Sequence, residues 1–356
     1  MPSKRSVAVS CLAALALAGC GPSGPAANPN TKVTVVDIDK LPSGPSPKIG
    51  WIDANGTLHI RSKTVPLGND VFDVAVLGRR IVVKALTESS DNEVQVRDLS
   101  GDITARYPHS DGRLVTNARR NVVAWTGAGG VVWVLQAGHD AAVDLTHPSG
   151  DAAADTIGVT GKDCFGGPEE VRGGGCSVYF TVQRGDKSVP MVVSSHGFSE
   201  RIGSRLDELI DVSPDGSLVG IRSASSRHPC ARYESPTTAK VMKSYERCDF
   251  LPGEFSPDGA RLTAYGPIVT EGVATDVITV RNSRSGKKLL TMQSPKGKVS
   301  LYRVAWEDNA HLLATVDQDE GSWAIVRIGL DGKANVAVGP RKGSFSGLAD
   351  ALTVQP

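Results

Sequence analysis

Apolar and polar residues alternate along most of the chain in short runs, and the runs come in pairs around sharp corners. The clearest are residues 211–221 (DVSPDGSLVGI) and 253–265 (GEFSPDGARLTAY), each an alternating run, a Ser-Pro-Asp-Gly corner and a second run. A period of two marks a strand with two distinct faces. Proline sets φ for the second turn residue, aspartate caps the turn through its side chain, and glycine accepts a positive φ. Two strands therefore meet at each corner. Weaker copies fall at 72–84, turning at Gly78-Arg79, at 114–125, turning at 118–121, and at 302–316, turning at Glu307-Asp308-Asn309. Another lies near 173–175, before 176–183, and residues 345–354 supply a first strand only.

The corners recur about every forty to forty-five residues, and about every fifty or more where loops intervene, which is the spacing of propeller blades. A third strand, and sometimes a fourth, follows each pair, as at 121–126, 131–135 and 141–145, or at 260–265, 277–281 and 288–292. A four-stranded blade cannot bury both faces alone, so blades stacked radially cover one another. The pattern predicts an all-β fold, a seven-bladed β-propeller. Six or eight blades stay compatible with it, because the unit between residues 151 and 201 carries a Gly-rich insertion. The domain is expected to open at Lys48 on a hairpin, IGWIDANGTLHI, with Asn55-Gly56 at its tip and no inner strand ahead of it. Residues 345–354 would supply that strand and close the ring. A β-sandwich accounts for the alternation but not for the spaced, self-similar corners.

At 356 residues and 40% apolar content the chain can bury a substantial core. Lys plus Arg (39) balances Asp plus Glu (38), which gives no net field for nucleic acid or for an anionic membrane surface, and no basic stripe with interleaved aromatics is present. At the amino end, Lys4 and Arg5 precede an apolar run at 7–18 that is too short to span a membrane as a helix. It ends in Leu17-Ala18-Gly19-Cys20, which resembles the bacterial lipobox, where cleavage precedes a cysteine that carries diacylglycerol. The expected organisation is a signal peptide at 1–19, a lipidated Cys20 and Pro/Gly-rich tether at 20–47, and the propeller at 48–356. Within the tether, residues 32–38 (KVTVVDI) alternate like a strand that packs on the domain's edge. Beyond Cys11 and Cys20 there remain Cys164, Cys176, Cys230 and Cys248. Four cysteines allow three pairings, and the short loops favour Cys164 with Cys176 and Cys230 with Cys248. That usage fits an oxidising compartment outside the cytoplasm, whereas zinc would call for a closely spaced pair.

The corners at 213–216 and 256–259 resemble the repeats of TolB-like propellers, also called PD40 or WD40-like repeats. The resemblance implies a bacterial envelope protein that binds a partner, or the propeller half of a serine peptidase. The amino-terminal α/β domain of TolB has no counterpart between Cys20 and Lys48, and the Trp-Asp ending of WD40 blades is absent.

A peptidase would need a Gly-x-Ser-x-Gly elbow, and residues 343–347 (GSFSG) miss it with Phe at the centre. No histidine pair has metal-ligand spacing, and Asp317 to Gly321 departs from a calcium loop after Asp319. Asp215 and Asp258 occupy equivalent corners and are accounted for by turn capping. Arg79-Arg80 and Arg119-Arg120 share a corner in two other blades and could gather around an anion, although solvated corners explain them as well. The five tryptophans, Trp51, Trp125, Trp133, Trp306 and Trp323, are expected to pack between blades. No catalytic, metal or cofactor set emerges. The expectation is a monomeric, membrane-anchored, extracytoplasmic binding module for an envelope protein or ligand, using loops 164–176 and 227–248. The alternative is a lactonase-like or glycan-cleaving enzyme whose inner strands offer Asp70, Asp73, Asp211 and Glu254.

Overall fold

The alternating runs are strands, and each pairs antiparallel with the next in the chain. The computed structural model describes residues 31–342 except 54, 88–90, 109–111, 147–152, 166–174, 185–186, 196–198, 203–207, 224–229, 235–244, 248–249, 267–276, 296–298 and 319–321. Among these residues the strands form seven sheets, numbered here in chain order: sheet 1 (51–66), sheet 2 (71–108), sheet 3 (115–146), sheet 4 (154–201), sheet 5 (208–247), sheet 6 (251–293) and sheet 7 (299–342). No α-helix occurs among the described residues.

The first strands of sheets 4, 5, 6 and 7, Ala154–Gly161, Glu208–Val212, Leu251–Phe255 and Val299–Trp306, touch one another in succession. They therefore stand innermost around an axis. Both faces of each sheet are covered, which is why Val71–Leu77 and Val122–Thr126 are almost wholly buried instead of alternating in exposure. Separate apolar clusters join sheet 2 to 3, 3 to 4, 4 to 5, 5 to 6 and 6 to 7. A further cluster packs Ile52, Leu58 and Val65 of sheet 1 against Val74 and Ile81 of sheet 2 and Leu313, Trp323 and Ile325 of sheet 7. The circle closes there, and the fold is a β-propeller.

The expected blade count of seven is corrected to six complete blades. Six sheets carry the full four antiparallel strands of a blade, and the expected seventh has three, Trp51–Ile52, Thr57–Ile60 and Lys63–Pro66. Those strands are short, and the chain ahead of them runs along sheet 7 instead of entering the inner place. Residues 345–354, expected to fill that place, lie outside the described residues. The strand expected within 32–38 is present at Lys32–Val35 and packs on the domain's edge. Lys32–Val35 pairs in parallel with Lys288–Gln293 as the outermost strand of sheet 6. The chain then crosses the rim of sheet 7, where Ser43 bridges Val336 and Val336 N–H donates to Pro42 O at 2.9 Å. Residues 32–48 thus form a strap over sheets 6 and 7 that leads into sheet 1.

The strap is nailed down by one ion pair. Arg327 forks onto buried Glu307, Nε to Oε2 at 2.6 Å and Nη2 to Oε1 at 2.7 Å. The same guanidinium donates to Pro45 O at 2.7 Å and Ser46 O at 2.9 Å, while Lys48 N–H donates to Glu307 Oε1 at 2.6 Å. Burial pushes the Glu307 carboxyl up, but the Arg327 and Lys48 bonds outweigh it and hold the group below the ordinary glutamate range. Asp308 beside it is likewise depressed, with burial offset by Lys48, Ala310 N–H and His311. On the far side of sheet 1, Asp53 accepts from Asn55 N–H, Thr57 N–H and His59 Nε2, and pairs with Arg341 of the last strand at 3.8 Å.

Arg327→Ala leaves a buried carboxylate without its cation and frees the strap, so unfolding should become easier by about 3–5 kcal/mol in denaturant melts. Replacing both partners with Glu307→Leu and Arg327→Met should cost less. Because the Glu307 and Asp308 carboxyls are depressed in the fold, their contribution is complete above the unfolded value of about 4 and is lost as pH falls through the folded values. The melting temperature should therefore decline below about pH 4, and less steeply in Glu307→Gln.

Candidate functional site

In most first strands the ladder slips at the same height. Register shifts fall between Val71 and Asp73, Thr156 and Gly158, Leu209 and Asp211, Pro252 and Phe255, and Leu301 and Val304. A bulge inserts a residue and re-aims the side chain beside it. The re-aimed residues include Asp73, Asp211 and Glu254. Asp73 accepts Val74 N–H at 2.9 Å on Oδ1 and Leu114 N–H of sheet 3 at 2.8 Å on Oδ2. Asp211 repeats the arrangement, accepting Val212 N–H at 2.8 Å and Phe255 N–H of sheet 6 at 2.9 Å. Each carboxylate latches its blade to the next by accepting one of its backbone amides, which would otherwise go unpaired. Lys84, also buried, donates from Nζ to Gly112 O at 2.6 Å, and Arg113 N–H reaches Asp155 Oδ1 at 3.3 Å.

These groups act on one another through the axis. Burial pushes the Asp211 carboxyl far above the usual aspartate range and Glu254 adds to it, while the two N–H bonds and Arg113 pull the other way. Arg113 lies just ahead of sheet 3 and Asp211 in sheet 5, so this weak attraction acts between blades that are not neighbours. Of the inner-strand carboxylates expected from the sequence, Asp211 and Glu254 come together here. Asp73 serves as a latch elsewhere on the ring, and Asp70 offers its carbonyl to Leu86 N–H.

The corners share one face of the ring. Ser213 and Ser256 N–H donate to Leu218 O and Arg261 O, and Asp215 and Asp258 accept from the serine hydroxyls and the following amides. Turn capping is thus their role. Gly216 and Gly259 sit at φ +70° and +68°, and in sheet 3 that same place is held by Arg120 at φ +58°. A non-glycine residue there costs roughly 1–2 kcal/mol. Its side chain reaches Trp306 O of sheet 7 at 3.5 Å, near Asp308 and Glu307. Sheets 3 and 7 are not neighbours, so Arg120 crosses the axial opening on the corner face. Arg80 instead pairs with Asp140 at 2.9 Å, so the four corner arginines do not converge on an anion. The Arg120 crossing was hidden in the sequence, although aligning the corners puts Arg120 in a glycine slot.

Glu307, Asp308 and His311 bring oxygen and nitrogen atoms within 4.8 Å of one another, the chemistry of a metal site. Their lone pairs are engaged by Arg327, by Lys48 Nζ at 2.7 Å from Asp308 and by Ala310 N–H, so a cation would have to displace two positive side chains. On sheet 4 the Cys164–Cys176 disulfide is present as expected. Gln136 of sheet 3 accepts Cys164 N–H at 2.6 Å and bonds Asp163 at 3.2 Å, so the base of that loop is fastened to the neighbouring blade. Cys248 and the Cys230 side chain lie outside the described residues, as does the stretch 319–321 of the calcium-like motif. Trp51, Trp125, Trp306 and Trp323 are buried between sheets as expected.

Asp73→Ala and Asp211→Ala each strand an amide of the next blade, and each should lower stability by about 1–3 kcal/mol. Calorimetry would check both, and an exposed control such as Asp140→Ala should change little.

No family model matches the chain, and no curated protein matches it. Among solved structures, the Dos1 propeller superposes with a TM-score of 0.52 at 12% identity, covering 81% of this chain and 87% of that one. That likeness is one of fold: this chain is built as a β-propeller.

Proposed function

We propose that the protein is a lipid-anchored propeller outside the cytoplasmic membrane, working as a non-enzymatic binding module for an envelope protein or ligand. The address rests on Leu17-Ala18-Gly19-Cys20 at the end of an apolar run, and the Cys164–Cys176 disulfide fits an oxidising compartment. The TolB-like corners are in keeping with this setting. The observation that carries the binding role is how the axial charges are used. Asp73 and Asp211 hold backbone amides of adjoining blades, and Arg120 spans the corner-side opening. Charged groups committed to rigidity make a stiff platform, and recognition then falls to the loops it carries. The loop closed by Cys164–Cys176, fastened through Gln136, is the foremost candidate.

One observation favours the enzymatic alternative. Asp211 is held well above its ordinary range by burial, with Glu254 adding to the shift, and a carboxyl raised in this way is what a general acid needs. The double variant Asp211→Asn/Glu254→Gln separates the readings. A binding module should capture the same cross-linked partner from intact cells with and without the change, whereas a channel enzyme should lose hydrolysis of lactone or glycan substrates. For the address, Cys20→Ser should move the protein from the membrane fraction to the soluble or secreted one, and retention at the membrane would refute the anchor.

A further inference from the structure

The outermost strand of sheet 6 carries apolar side chains on both faces: Val36 and Ile38, just beyond it, are buried in line with Thr34, while its other face is open. In Lys32–Val35 the polar Thr34 faces inward, 5% exposed, with its hydroxyl donating to Gly332 O at 2.8 Å. Val33 and Val35 face outward at 61% and 54% exposure, more than any other large apolar residue described. A strand normally buries its apolar side, so this edge calls for a cover. Among the described residues it is the end strand of its sheet.

The same edge is basic. The strand runs parallel to Lys288–Gln293, so its beginning lies at the end marked by Lys288. There the turn carries Arg284 and Lys287, and Arg284, Lys287, Lys288 and Lys32 are all exposed. The turn sequence RNSRSGKK contains no acid.

Resting on the lipid anchor proposed at Cys20, we infer that this edge is the side of the propeller that lies on the membrane, with Val33 and Val35 against the interface and Arg284, Lys287 and Lys288 facing anionic headgroups, while Lys32 Nζ donates to Leu330 O at 3.4 Å. Chain length supports that occupant. Lys32 is twelve residues after Cys20, a span of at most about 40 Å fully extended, and among the described residues no strand is closer to the anchor along the chain. Exposed apolar side chains with a cluster of cations at one end, as here, are taken up by an anionic lipid surface, with Asp37 and Asp39 at the other end turned to its edge.

Full-length, lipidated protein carrying bimane at Val35→Cys, or at the similarly exposed Val143→Cys of sheet 3, can be reconstituted into phosphatidylglycerol-containing vesicles with brominated acyl chains. An interfacial face sits some 5–10 Å deep, so bimane at position 35 should lose roughly twofold more emission than at position 143. Lys287→Glu/Lys288→Glu should reduce that difference. Equal quenching at both positions, or none, overturns the inference, as does cross-linking of Val35→Cys to an envelope protein in cells without quenching in vesicles. A mass spectrum lacking lipid on Cys20 would instead overturn the anchor itself, so the two failures are told apart.

Discussion

The buried fork of Arg327 on Glu307 is the interaction on which the closed form of this molecule depends. It takes two charges out of water, a costly step unless every remaining donor and acceptor is met. Here they are met by the strap, through Pro45 O, Ser46 O and Lys48 N–H. The pair therefore specifies a route for the chain: residues 42–48 must lie across sheet 7 before entering sheet 1. A blade with two apolar faces has no stable end, so a ring of blades is only as stable as its closure. In this protein the closure visible among the described residues is made from the amino side.

The axis follows a related logic. Bulges in the inner strands of sheets 2 and 5 lie beside carboxylates that take an amide of the next blade, Asp73 that of Leu114 and Asp211 that of Phe255. The result is a channel whose charges hold blades together. Arg120, in a backbone conformation that its equivalents reserve for glycine, carries the same economy to the corner face by reaching across to Trp306. Rigidity of this kind suits a platform, and it directs attention to the rim and the loops. The edge strand Lys32–Val35 and the disulfide-closed loop of sheet 4 are the two places where the sequence departs from what packing alone would ask.

Much of the architecture was written locally. The corners at 213–216 and 256–259 announced strand pairs because proline, aspartate and glycine each serve one turn position, and the observed hydrogen bonds are the ones that chemistry implies. The spacing of those corners pointed to a propeller for the same local reason. The Cys164–Cys176 pair and the burial of Trp51, Trp125, Trp306 and Trp323 were legible too, since short loops and large apolar rings leave few choices. The number of complete blades was less so, because the hairpin around Asn55-Gly56 looks alike whether or not an inner strand lies beside it.

By itself, then, the sequence determined the strands, their turns, the radial arrangement and the disulfide, all of which depend on neighbours within a few residues or on a repeated period. Only the tertiary structure decided that Lys32–Val35 is the outer strand of sheet 6, that Arg327 finds Glu307 and the strap, that Arg120 spans the axis to Trp306, and that Glu254 acts on Asp211. Those pairings join residues distant in the chain, and the alternation of apolar and polar positions says which face a side chain takes but not which blade it meets. Their partners are set by the closing of the ring.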